Sequence, residues 1–199
     1  MAQSTTSELV RNHEGREVPH PGSYELDRAH SAVEFVARHL MISKVRGRFA
    51  EFDGRIDIAE VPQDSSVEVT VQAASVDSGE PTRDGHLRSP DFFDVERYPT
   101  IKFRSTRVEP DKSGTWKVQG DLTVRDITKP VTLTVDFDGA TRDPWGNERL
   151  GFAASTELDR EEWGLTWNQP LETGGFLVGK KVRIELGVEA IRSSAEGAA

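Results

Sequence analysis

The sequence predicts an all-β fold of about eight antiparallel strands. Two observations carry this. Apolar and polar residues alternate strictly in run after run, and the runs are separated by short segments rich in Pro, Gly, Asp and Ser. Strict alternation marks strands with one dry and one wet face. A third observation, one short polar segment that fits neither pattern, predicts a single helix.

The strands follow in order. In Ala32 to Arg38, Val33, Phe35 and Ala37 share a side. The long segment from Val45 to Ile58 contains Gly47 and Gly54. Its Phe49 and Phe52 are three apart, which breaks the alternation and predicts a bulge or sharp bend near Asp53-Gly54. Val67, Val69, Val71 and Ala73 alternate with Glu68, Thr70 and Gln72, and Ile101 and Phe103 with Lys102 and Arg104. Two runs come next, Trp116, Val118, Gly120, Leu122 and Val124, then Val131, Leu133, Val135 and Phe137. Leu150, Phe152 and Ala154 share a side, as do Val182, Ile184, Leu186 and Val188. The connectors VPQDSS, EPDKSG and GATRDPWGNE supply turn dihedrals and side chains that bond their own backbone.

The exception is PTRDGHLR, Pro81 to Arg88. Proline suits the first position of a helix, but the segment is too short and polar to stand alone. With Phe92 and Phe93 just beyond, residues 81–94 are expected to form a flap anchored by its aromatic side.

Period two does not separate a sandwich from a barrel. Eight strands is a number typical of small closed barrels. The dry faces are rich in Val, Ala and Gly, and the chain has only two Met, which favours a lumen over a filled core.

Charge and composition exclude several functions. With 25 basic and 34 acidic residues the net charge is −9, which disfavours nucleic acid and anionic lipid surfaces as partners. The absence of Cys excludes disulfides, thiol catalysis and thiolate metal sites. No stretch approaches the ~20 apolar residues of a membrane span, and the N-terminus lacks a signal-like apolar run, so a cytoplasmic protein is expected. Residues 1–22, polar with Pro19 and Pro21, are expected to be a flexible arm. Residues 23–192 should form one domain and 193–199 a flexible tail.

Four stretches resemble the YceI-like family of polyisoprenoid-binding proteins. They are Tyr24-Glu25-Leu26-Asp27-Arg28-Ala29-His30-Ser31 leading to Val33-Glu34-Phe35 and Arg38-His39-Leu40; Ile42-Ser43-Lys44-Val45-Arg46-Gly47-Arg48-Phe49 with Phe52-Asp53-Gly54; Asp84-Gly85-His86-Leu87-Arg88-Ser89 with Asp91-Phe92-Phe93-Asp94 and Tyr98-Pro99; and Gly120-Asp121-Leu122-Thr123 with Thr128-Lys129-Pro130-Val131. They keep the family's order. The resemblance implies a lipocalin-like antiparallel barrel, a long isoprenoid or similar amphiphilic lipid in its lumen, and a homodimer. It departs from the many exported relatives in showing no export signal.

Parity then names the expected lumen: Val33, Phe35, Val67, Val69, Val71 and Ile101 from the first strands. Phe103, Trp116, Val118, Leu122, Val131, Leu133, Val135 and Phe152 come from the later ones. Phe92 and Phe93 should seal it. Trp163, Trp167 and Phe176, in the glycine-rich EEWGLTWNQPLETGGF, are candidates for the mouth. His86 and Arg88 are candidates for head-group contacts, while Lys44, Arg46, Arg48 and Arg83 read better as solvated surface.

No catalytic residue, metal ligand or cofactor is assigned. His30, His39 and His86 have no metal-like spacing. Asp27, His30 and Ser31 have the residue types of a hydrolytic triad, but lie within five positions where turn hydrogen bonds explain them. The main expectation is a non-catalytic lipid-binding barrel. Its rivals are an enzyme using the lumen with those His as base or ligand, and a solid barrel acting as an interaction module.

Overall fold

A computed structural model describes residues 8–172 and 174–193. The chain begins with a hairpin, β1 (Val10–His13) and β2 (Arg16–Pro19), paired from Val10–Pro19 to His13–Arg16. Glu14 and Gly15 turn it with φ of 51° and 80°, as the tight hairpin turn requires at both central positions. Leu9 and Val18 are buried. The flexible arm expected over residues 1–22 is therefore corrected for residues 8–22. The Val10 and Val18 arms flank a Glu-Gly turn, and the resulting ribbon has a barrel end to lie on. Residues 1–7 and 194–199, expected as arm and tail, lie outside the described residues.

The barrel has eight antiparallel strands, three of them broken by bends. β3 (Gly22–Leu26) and β4 (Ala32–His39) run in line, as do β5 (Ser43–Phe49) and β6 (Phe52–Ile58), and β7 (Ser66–Gln72) and β8 (Val76–Asp77). β4 pairs with β5 and β3 with β6, then β6 with β7 and β5 with β8. The meander continues through β9 (Thr100–Pro110), β10 (Trp116–Val124), β11 (Ile127–Arg142), β12 (Glu148–Asp159) and β13 (Val178–Arg192). β13 closes the barrel, pairing Ala190 with Leu26 and Ile184 with Phe35.

The interruption between Phe49 and Phe52 lies at Ala50-Glu51, ahead of the expected Asp53-Gly54. Two residues are spent on the bend, so both phenylalanines stay inside. Two glycines are small because rings cross them. A Cβ at Gly47 would sit 2.3 Å from the Phe35 ring, and one at Gly120 would sit 2.5 Å from the Phe103 ring and 2.5 Å from the Arg104 carbonyl.

The expected helix is α1 (Pro81–Arg88). Glu80 caps it, accepting from the Thr82 and Arg83 amides at 3.1 and 2.6 Å, and Pro81 takes the first turn. Asp84, buried, accepts from the Ser78 amide at 2.8 Å, and Arg88 donates to the Ala74 and Val76 carbonyls at 2.8 and 2.7 Å. These bonds hold α1 over the place where β8 and β9 do not pair. Among the described residues no helix is long and apolar enough to cross a membrane.

Candidate ligand-binding lumen

The barrel is hollow. Its interior holds a cavity of about 370 Å³, within the range of roughly 300–1,000 Å³ usual for small-molecule sites. Apart from tryptophan, the only polar side chains on its wall among the described residues are Ser65, Ser66, Thr156 and Arg160. The rest is carbon, so the site can exclude water from an alkyl chain but offers it few hydrogen bonds.

Each wall element contributes through the parity of its strand. β4 supplies Val33 and Phe35, β7 supplies Val67, Val69 and Val71, and β9 supplies Ile101 and Phe103. Trp116, Val118 and Leu122 come from β10, Val131, Leu133 and Val135 from β11, and Phe152 from β12. The flap closes the side: Phe92 and Phe93 both border the cavity, Phe93 against Phe49 and Phe92 against His86. Trp163 lines the end beyond β12, its indole N–H donating to the Leu122 carbonyl at 3.1 Å.

Trp167 and Phe176 do not border the cavity, which corrects the expectation for both. Trp167 lies outside Phe92 (5.5 Å between centroids) and on the edge of His86 (4.4 Å), as an outer layer of the flap. Phe176 is 49% exposed, in a bridge with Pro170, which is exposed as well. His86 and Arg88 do not border it either. His86 Nε2 pairs with Asp91 at 2.9 Å, and Arg88 is committed to the two carbonyls named above.

The sequence reading missed the opposite end. Val18 and Pro19 of the hairpin line the lumen there. Arg11 ties the hairpin to the Ala59 and Glu60 carbonyls at 3.1 and 2.6 Å, and Arg16 to the Asp111 carbonyl at 2.5 Å. The near-symmetric VRNHEGREV around its Glu-Gly turn was the available signal. Arg160 was missed too, since nothing in a charged LDREEW run reveals a buried cation.

A dense polar cluster lies elsewhere, where β3 passes into β4. Arg149 donates to Asp27 at 2.7 Å, Asp143 at 2.9 Å and Glu189 at 2.5 Å. The hydrogen bond from Arg149 is the main cause that holds the Asp27 carboxyl at about 2, against burial. For Asp143 burial acts the other way, but bonds from Asn147 and Arg149 outweigh it and lower the pKa. Asp27, His30 and Glu189 each bring one possible ligand atom within 4.8 Å of the others, yet the Arg149 guanidinium already supplies the positive charge. Ser31 Oγ donates to the Glu189 carbonyl at 3.1 Å, so the Asp27–His30 contact of 2.8 Å is not extended into a triad. None of His30, His39 and His86 borders the lumen.

The YceI-like domain pattern matches residues 24–190. The chain belongs to the YceI-like family. This YceI-like chain is 42% identical over 139 residues to a UPF0312 protein of Vibrio cholerae, covering 69% of this chain and 73% of the relative. The barrel superposes on BcnA of Burkholderia cenocepacia with a TM-score of 0.70 at 21% identity, over 82% of this chain and 98% of BcnA. It superposes on a polyisoprenoid binding domain from Saccharophagus degradans with a TM-score of 0.63 at 14% identity, over 85% and 98%. At these identities the two structures share the fold. The β1–β2 hairpin precedes the matched span, so in this YceI-like protein one barrel end is closed by a segment outside the family pattern.

Proposed function

We propose that the barrel binds, stores or carries a long-chain isoprenoid or similar amphiphilic lipid in its lumen, without chemistry on it. The observation that carries this is the apolar cavity, with no His or carboxylate on its wall among the described residues. Family membership supports it, as does the shared fold with a polyisoprenoid binding domain. The rival in which His30, His39 or His86 works on a substrate in the lumen has no support in their positions.

The energetics suit a carrier. Each buried CH₂ contributes about 0.8 kcal/mol, so a five-carbon isoprene unit gives on the order of 3–4 kcal/mol. A few units suffice for tight binding before chain ordering takes part of it back. Such a site selects chain length loosely. A homodimer and a cytoplasmic location belong to the same proposal, and sedimentation and cell fractionation test them.

Native mass spectrometry of protein purified from cells tests the lumen, with a lipid-sized adduct expected. Val69→Trp with Val118→Trp places two indoles across the tube and should remove the adduct while unfolding stays cooperative. Full occupancy in that variant would place the ligand elsewhere.

A further inference from the structure

The loop between β4 and β5 breaks three local rules at one place. The Ile42 amide donates to the His39 carbonyl at 3.2 Å, closing a turn whose central residues are Leu40 and Met41. Their φ angles are 52° and 61°. That left-handed region suits Gly, Asn or Asp, and two bulky apolar residues are strained there. The tip is also uncovered. Met41 is 54% exposed and Ile42 85%, the highest value of any large apolar residue among those described. Third, the strand register sets Arg38 opposite Lys44, and both are exposed. Like charges directly opposite one another destabilise a strand pair.

Among the described residues neither Arg38 nor Lys44 has a carboxylate within ion-pair distance. The cations around them are paired. Arg46 and Arg183 both reach Glu185 at 2.9 Å, and Lys180 reaches Glu161 at 2.7 Å. A Cβ at Gly179 would sit 3.2 Å from that of Arg38, so the start of β13 flanks the uncompensated pair. The tip belongs to the barrel end away from the β1–β2 hairpin, and it continues the cavity wall. β4 carries Ala37 and β13 carries Val178, both on that wall, and Val178 pairs with His39. The Leu40 amide extends the seam, donating to the Leu177 carbonyl at 2.9 Å.

We propose that the Leu40–Ile42 tip docks this end of the barrel on an anionic lipid bilayer, with Met41 and Ile42 entering the headgroup layer and Arg38 and Lys44 meeting lipid phosphates. Several local rules failing together mark a place shaped by something other than stability. A bilayer surface supplies apolar depth for the exposed side chains and negative charge for the cations. The net charge of −9 argues against anionic surfaces for the chain as a whole. At an ionic strength of about 0.1 M, however, a charge acts over only about 10 Å, so the patch at the contact decides. A second copy docked tip to tip would set Arg38 and Lys44 against themselves, which argues against a dimer here. Docking of this kind does not depend on what the lumen carries.

The test floats full-length protein with vesicles of phosphatidylcholine alone and of phosphatidylcholine mixed with phosphatidylglycerol, at low and physiological salt. Binding to the mixed vesicles is expected to be about tenfold or more tighter than to phosphatidylcholine, and weaker at the higher salt. Arg38→Gln with Lys44→Gln should lose about tenfold or more of it, and Ile42→Asp should abolish it. Met41→Gly relieves the strained φ, so its urea midpoint should hold or rise while vesicle binding falls. Because the chain has no Cys, Ile42→Cys takes an environment-sensitive dye at a single position. Its emission should move to the blue with the mixed vesicles. The same dye on Trp145→Cys, 81% exposed between β11 and β12 at the opposite barrel end, should not respond. Equal binding to both vesicle types overturns the proposal, as does binding to neither, which would leave the tip to a protein partner. A dimer in sedimentation that Ile42→Asp dissolves overturns it too, and gives the tip to a second copy. The lumen reading stands in each case, since adduct mass tests it separately.

Discussion

Phe93 stands edge-on to Phe49, their ring centroids 5.5 Å apart and their planes at 69°. Phe49 in turn leans on Phe35 at 5.8 Å. The flap is thus fastened to the barrel by a row of rings that also forms the cavity wall. Phe93→Ala should cost about 2–4 kcal/mol in urea unfolding, somewhat below the usual loss for a fully buried phenylalanine. It should also speed release of bound lipid, measured by stopped-flow transfer to vesicles. Phe176→Ala, at an exposed position, should change neither by a measurable amount.

The two crossed glycines should respond differently to alanine. At Gly120 the added methyl meets the Arg104 carbonyl, part of the paired β9 backbone, which has nowhere to go. Gly120→Ala should cost about 1–3 kcal/mol, as overpacking does. At Gly47 the nearest atoms belong to the Phe35 ring, which can swing into the cavity. Gly47→Ala should therefore cost less stability and instead reduce lipid occupancy. Chemical denaturation and adduct mass together separate the two.

Acid should weaken the protein through the Arg149 cluster. The folded state holds Asp27 at about 2 against an ordinary 3.8. A carboxyl with a lowered folded pKa stabilises above its unfolded pKa, and that contribution is lost as pH falls from about 4 towards 2. For Asp27 it is about 1–2 kcal/mol, allowing for its partial contact with solvent. Asp27→Asn should therefore be less stable than wild type at pH 6, with the gap closing near pH 2. Urea unfolding at both pH values measures it.

The hairpin should be separable from the barrel. Arg11→Ala with Arg16→Ala removes the clamps to the carbonyls of residues 59, 60 and 111. Amide exchange in residues 10–19 should rise well above that of the barrel strands, and global stability should fall by only about 1–2 kcal/mol. Equal protection in the variant would show that burial of Leu9 and Val18 alone holds the hairpin.

Alternation made the barrel legible because each strand has one face in the lumen and one in water. Val69, Val118 and Val135 could be placed inside by parity alone. Parity fails where the backbone leaves the strand. Trp167 and Phe176 lie on a looping segment, where an aromatic residue can face in or out equally well by sequence. The hairpin went unread because its arms are four residues each, too short for a convincing period. Arg160 went unread because burial of a charge is decided by the chain that folds over it, here Leu165, five residues on, and Val178–Gly179, 18 and 19 residues on.

The seam of the barrel joins Leu26 to Ala190. The chain from β3 through β13 must leave the ribosome before that seam can form. Until then seven amphipathic strands wait with their oily faces uncovered, and contacts of such long range form slowly. Synthesis inside a cell therefore sets a race between ring closure and aggregation, and a chaperone or an early lipid guest would tilt it towards closure.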